Sequence, residues 1–167
     1  MKKLFAMVLC AVMLMCTVSF PVFAAENVSN QMKLVSSDVV YFEDGTSFVF
    51  EVYEYSVSGA KNARATETKV GIGRGYVRDA LGNNLYRFNV HGTFAITDAF
   101  VRATASTYSR DIYASLYSLR SANTNYYDNY ATGSGRFYDS LGNLHRTINV
   151  TVSCDLNGTI SSYYTLS

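Results

Sequence analysis

YRFNVHGTFAI, residues 86–96, alternates with a period of two: Tyr86, Phe88, Val90, Phe94 and Ile96 fall on one face, and Arg87, Asn89, His91 and Thr93 on the other. That period marks a strand with one buried face and one wet face. Composition extends the reading to the rest of the chain. Fourteen tyrosines and ten phenylalanines stand beside many valines and threonines, with no tryptophan, and the single proline is Pro21. Such side chains fit a pleated, half-buried surface. Helix-favouring Lys, Glu, Gln and Leu are scarce beyond residue 24.

Outward from residues 86–96 the same chemistry recurs. Val39 to Phe42, an Asp44-Gly45 turn and Ser47 to Val57 read as a hairpin, with Phe48, Phe50 and Val52 on one face and Glu51, Tyr53 and Tyr55 on the other. Residues 58–68 lack apolar period and read as a flexible connection. Further strands are expected at Lys69–Arg78, Val101–Tyr108, Ile112–Leu119, Tyr126–Thr132, Gly135–Tyr138, Thr147–Asp155 and Thr159–Thr165, with a polar loop at 121–125. About eight to ten short strands at this spacing predict an all-β fold, an antiparallel β-sandwich over residues 35–167.

One stretch repeats. Gly75-Tyr-Val-Arg-Asp79-Ala-Leu-Gly82-Asn83 returns as Gly135-Arg-Phe-Tyr-Asp139-Ser-Leu-Gly142-Asn143, and Asn89-Val90 returns as Asn149-Val150, without a gap. Either each half of the fold holds a related hairpin, or two unrelated hairpins use the same turn chemistry; the extension to Asn-Val favours the first.

The amino terminus fixes the compartment. Met1-Lys2-Lys3 is a basic n-region, Leu4–Val18 an uncharged apolar run, and Val22-Phe23-Ala24 a small-residue cleavage pattern. A signal peptide of residues 1–24, removed after Ala24, predicts a secreted, extracellular protein, followed by a disordered leader at 25–34. The run is too short for a retained anchor, so no stable membrane insertion follows cleavage. About 143 residues remain, enough to fold as one domain. Cys10 and Cys16 leave with the signal, so Cys154 has no intramolecular partner. A buried thiol is the default for it, and a disulfide dimer the alternative. Loss of Lys2 and Lys3 leaves 12 basic residues against 13 acidic ones, which gives no reason to expect a nucleic-acid partner or an anionic membrane.

The motifs that carry chemistry are sparse. Gly71-x-Gly73-x-Gly75 precedes a strand and not a helix, so it reads as a place of close backbone approach and not as a phosphate loop. His91 and His145 lack the spaced partners of a zinc site. Asp79/Asn83, Asp139/Asn143 and Asp155/Asn157 offer too few oxygens for calcium and suit turns. There is no Gly-x-Ser-x-Gly elbow, and Glu51 and Glu54 lie on opposite strand faces. No catalytic residue, cofactor or metal is expected. Tyrosine is the remaining candidate, as an apolar plate with a hydroxyl. Tyr113 and Tyr117 share a face of the expected strand at 112–119, Tyr53 and Tyr55 share another, and Tyr126, Tyr127 and Tyr130 cluster near a polar loop.

Gly92-Thr93-Phe94 closing an aromatic strand, the Gly-rich middle, and the ending Val150-Thr-Val-Ser-Cys154-Asp-x-Asn-Gly158 resemble a loose group of small secreted β-sandwich proteins of Gram-positive bacteria, classed only as domains of unknown function. The resemblance covers roughly residues 35–165. It implies secretion and a sandwich, and no activity, cofactor or catalytic residue. The expected function is a secreted, non-enzymatic binding or interaction protein of the bacterial exterior, taking a cell-envelope glycan or an extracellular protein as partner. The alternatives are a toxin-like factor that binds a protein partner and an extracellular hydrolase with His91 or His145 against a carboxylate.

Overall fold

The computed structural model describes residues 31–57 and 67–167. The signal segment 1–24, residues 25–30 of the leader and residues 58–66 of the expected connection lie outside the described residues. Nine strands follow one another: β1 (Lys33–Tyr41), β2 (Ser47–Val57), β3 (Glu67–Arg78), β4 (Asn84–Ile96), β5 (Val101–Ile112), β6 (Tyr117–Tyr127), β7 (Tyr130–Asp139), β8 (Leu144–Cys154) and β9 (Ile160–Leu166). Each pairs antiparallel with its chain neighbour, in a five-stranded sheet β1-β2-β3-β4-β5 and a four-stranded sheet β6-β7-β8-β9. The all-β expectation and its strand number hold.

The two sheets pack through the alternating residues. Phe48, Phe50 and Val52 of β2, Val77 of β3 and Tyr86, Phe88, Val90 and Phe94 of β4 meet Phe137 of β7 and Ile148, Val150, Val152 and Cys154 of β8. Each of these side chains is at most 3% exposed, and full burial of such a side chain contributes roughly 1.5–3 kcal/mol. Tyr86 stacks on Phe137 with ring centroids 4.1 Å apart, and Tyr164 lies 4.7 Å from Phe50 and 4.9 Å from Phe48.

Glycine decides how closely the sheets approach. A Cβ on Gly73 would sit 2.5 Å from Val150 Cγ1, and one on Gly133 2.5 Å from Val90 Cγ2. Residues 73 and 133 are sixty apart, and so are their partners 150 and 90. Each sheet therefore lends a glycine to receive the same valine of the other, as two related halves facing each other would. The glycines of residues 71–75 thus accommodate side chains of the facing sheet. The repeated turns share the bonds that close them. Asp79 N–H donates to Asn83 O and Asp139 N–H to Asn143 O, both at 3.0 Å, while Gly82 and Gly142 sit at φ 84° and 89°. In each turn the Asp carboxylate accepts the Asn backbone N–H (2.8 Å) and side-chain amide. These bonds hold both carboxyls below the usual range.

Five expectations need correction. Lys33 and Leu34, assigned to the leader, begin β1, and Glu67 and Thr68, assigned to the connection, likewise begin β3. The strand expected at Ile112–Leu119 does not exist: β5 stops at Ile112, and residues 113–116 form the corner between the sheets. There the N–H groups of Tyr113 and Ala114 both donate to Leu85 O at 3.0 Å, which rewards the bend over further pairing. Residues 121–125 are the middle of β6 and not a loop, because a strand with one face in water is polar at alternate positions. Tyr126–Thr132 is two strands, divided at Asp128-Asn129, where Asp128 takes φ 47°. That turn is bound across to both sheets, by Asp128 O accepting from Ala103 N–H at 2.6 Å and by Asn129 O accepting from Cys154 N–H.

The edge strand β1 is exposed along most of its length. It carries its own protection, a bulge between Leu34 and Ser36 and the Asp38 carboxylate, whose Oδ1 accepts the Val39 N–H at 2.8 Å. Both devices discourage edge-to-edge pairing.

Candidate functional site

The corner at 113–116 separates the two tyrosines expected in one row. Tyr113 stands on the corner, half exposed. Tyr117 opens β6 and packs inward, its ring 5.3 Å from Tyr86 and 4.8 Å from His145. The structure therefore provides no planar row containing both. Tyr126 faces the core side at the rim and lines a shallow depression with Arg102, Ala103 and Thr104. Tyr53, Tyr55 and Tyr127 lie on outer faces.

Cross-strand partners share a face of a sheet, so the register assigns both outer faces. On the four-stranded sheet, one row reads Asn123, Ser134, Asn149, Thr165, and the next reads Asn125, Thr132, Thr151, Tyr163. A third reads Tyr127, Tyr130, Ser153, Ser161. Hydroxyls and amides fill these rows, with three tyrosines toward one end and no charge. Arg136, beside Ser121, stands at the other end, where Ser121, Asn123, Ser134 and Arg136 line a depression of about 290 Å³. The lattice is held in place: Asn149 Nδ2 donates to Thr165 Oγ1 at 3.1 Å, and the Ser153 and Ser161 hydroxyls bond at 2.9 Å. Tyr127 and Tyr130 lie with ring centroids 5.5 Å apart, and Tyr127 and Tyr163 are 50% and 56% exposed.

The outer face of the five-stranded sheet is different in kind. Its central row runs Ser37, Glu51, Arg74, Asn89, Ser109, flanked by Tyr53, Ile72 and His91 on one side and by Tyr76, Arg87 and Asp111 on the other. Guanidinium groups cover the tyrosine rings: Arg74 lies 4.5 Å from the Tyr53 centroid, Arg78 5.6 Å and Arg87 5.7 Å from that of Tyr76. Plates already covered in this way are poorly placed to stack on a sugar.

Neither histidine hydrogen-bonds a carboxylate among the described residues. His91 Nε2 lies 3.1 Å from Ser109 Oγ, which also accepts from Asn89 Nδ2 at 2.9 Å. Burial, with Arg74 and Arg87 nearby, pushes the His91 pKa down. The distance would suit proton transfer from hydroxyl to imidazole, but among the described residues no carboxylate hydrogen-bonds the ring to orient it as a triad requires. His145 Nδ1 lies 2.6 Å from the buried Tyr86 hydroxyl. Burial raises the Tyr86 pKa and lowers that of His145, so a neutral imidazole meets a neutral phenol. Cys154 is fully buried, and burial lifts its thiol to about 11. No group of three His, Cys, Asp or Glu side chains among the described residues could hold a metal ion.

Comparison with family models, with curated proteins and with solved structures found no match to this chain. The fold and the two outer faces are what argues for function.

Proposed function

We propose that this chain is a secreted, non-enzymatic binding protein of the bacterial exterior; the amino-terminal signal pattern and the resemblance to small secreted Gram-positive sandwich proteins support the secretion. The outer face of the four-stranded sheet docks a neutral glycan of the envelope. The observation that supports this most is the uncharged Ser/Thr/Asn lattice bordered by Tyr127, Tyr130 and Tyr163. Sugars present hydroxyls at close intervals on an otherwise apolar ring, and such a lattice offers donors and acceptors in fixed positions. Tyrosine adds an amphipathic plate beside them. Protein partners usually bury a desolvated apolar or aromatic patch at the centre of the contact, and the middle of this face carries only short polar side chains.

The test is retention of the mature chain, residues 25–167, on insoluble polysaccharides and purified Gram-positive cell walls. Retention is expected for the native chain and for Tyr113→Ala. It should fall several-fold in Tyr127→Ala/Tyr163→Ala with thermal stability nearly unchanged, since both rings are about half exposed. No retention on any matrix, or retention indifferent to the double substitution, would overturn the proposal.

A further inference from the structure

We infer that the outer face of the five-stranded sheet is a second binding site, in which Arg74 and Arg87 hold an oxyanion, the carboxylate or phosphate group of a small ligand. It lies on the opposite side of the molecule from the glycan face and stands independently of that reading.

β3 is the middle strand of five, and Arg74 is in the central row of its outer face. Four other cations among the described residues stand within 4.0 Å of a carboxylate: Arg87 of Asp111, Lys33 of Glu54 at 3.2 Å, Lys69 of Glu67 at 4.0 Å and Arg146 of Asp44 at 3.0 Å. Among the described residues no carboxylate comes within 4.0 Å of Arg74. The nearest by register, Glu51, instead accepts the Tyr53 hydroxyl through Oε2 at 2.9 Å. Stacking on Tyr53 and long contacts to the Tyr76 hydroxyl (3.5 Å) and Met32 Sδ (4.0 Å) are what orient the guanidinium. An oriented fork without a counter-ion is what bidentate recognition of a carboxylate or phosphate requires.

The groups around it also lack partners. Nε of Arg74 and Nε of Arg87 are buried and unbonded, and so is Oδ1 of Asn89, a residue only 3% exposed. Asn89 uses one end of its amide on Ser109 Oγ. Turning the amide over exchanges the two ends and leaves the other one unpaired. Turned so that Oδ1 accepts the Ser109 hydroxyl proton, Asn89 would leave its NH₂ as the unpaired end, in the row that it shares with Arg74. Buried groups without partners are rare in folded proteins, and each is destabilising. The two Nε–H groups, joined by the Asn89 NH₂ when the amide is turned over, form a donor set on one face of β3 and β4 that an oxyanion would complete. Glu51 limits the approach to the β4 side, because an anion over β2 would meet its charge.

The experiment is titration of ¹⁵N-labelled mature chain with trigalacturonate, with inorganic phosphate and, as a neutral reference, with maltotriose, read from the Arg Nε–H and Asn side-chain signals. Saturable shifts at Arg74, Arg87 and Asn89 are expected with at least one anion, and none there with maltotriose. The anion that shifts them identifies carboxylate or phosphate as the natural group. Arg74→Gln should weaken binding about tenfold or more, and Arg74→Lys, which keeps the charge but not the fork, should fall between. Tyr127→Ala/Tyr163→Ala should leave the titration unchanged, so failure here and failure of the glycan reading are separate results. Absence of saturable shifts with both anions, or equal binding by Arg74→Gln and the native chain, would overturn the inference.

Discussion

Phe88→Ala is expected to destabilise the protein by about 3–5 kcal/mol, the range for deleting a buried aromatic ring. The ring is fully buried in the centre of the sandwich. It meets Phe137 edge-on at 6.2 Å and stacks with Tyr108 at 5.7 Å. It also fills the space left by Gly135, where a Cβ would stand 2.8 Å from Phe88 Cε2. Paired strands on both sides limit how far β4 can move to close the cavity. A domain of this size has a total stability of roughly 5–15 kcal/mol, so the variant should unfold at a much lower urea concentration. A loss below about 1 kcal/mol by chemical denaturation would show that the core is not centred where the structure places it.

Gly133→Val is expected to be nearly as damaging, for the opposite reason. Even the first added carbon would overlap Val90 Cγ2 at 2.5 Å, and Val90 is fully buried between β3 and β5 with no room to retreat. Overpacking of this kind costs about 1–3 kcal/mol and occasionally more. The related position gives an internal control. Gly73→Val should have a similar effect through Val150, and Gly133→Ala/Val90→Ala should be less destabilising than the sum of its single substitutions. Additive double-variant energies in thermal unfolding would mean that the two positions do not touch, and would remove the case for two related halves.

The buried side of this fold was legible because burial leaves a period. Spacing alone places Phe48, Phe50 and Val52 and the alternating residues of 86–96 on the core side, where the structure buries them. The Asp-x-Leu-Gly-Asn turns were legible because Gly82 and Gly142 occupy a backbone region that few other residues tolerate. The corner at 113–116 was not, since Tyr113 and Leu116 are as compatible with strand as their neighbours and only the bonds to Leu85 reveal the bend. The Asp128-Asn129 turn was hidden between aromatic residues for a similar reason.

The candidate site was harder to see, because an outer face is assembled from strands distant in sequence. Thr132 and Ser134, or Thr147, Asn149 and Thr151, alternate visibly, yet each looks like the ordinary wet side of a strand. Their neutrality becomes a property of a surface only when the register sets Asn123 beside Ser134, Asn149 and Thr165. Asn123 and Asn125 would have pointed there had residues 121–125 been read as a strand. Strand alternation puts Tyr113 and Tyr117 on one face, whereas one stands on a corner and the other is turned inward. It gives no signal for Tyr163, which stands on the lattice itself.

The claim that the four-stranded sheet presents the binding face is tested most directly by mapping it. Amide hydrogen exchange of the mature chain, measured with and without a soluble oligosaccharide from the polymer that retains it, reports contact strand by strand. The account predicts added protection confined to β6–β9, strongest around Asn125, Thr132, Thr151 and Tyr163. Protection centred on the five-stranded sheet or on the corner at Tyr113, with β7 and β8 unchanged, would contradict it.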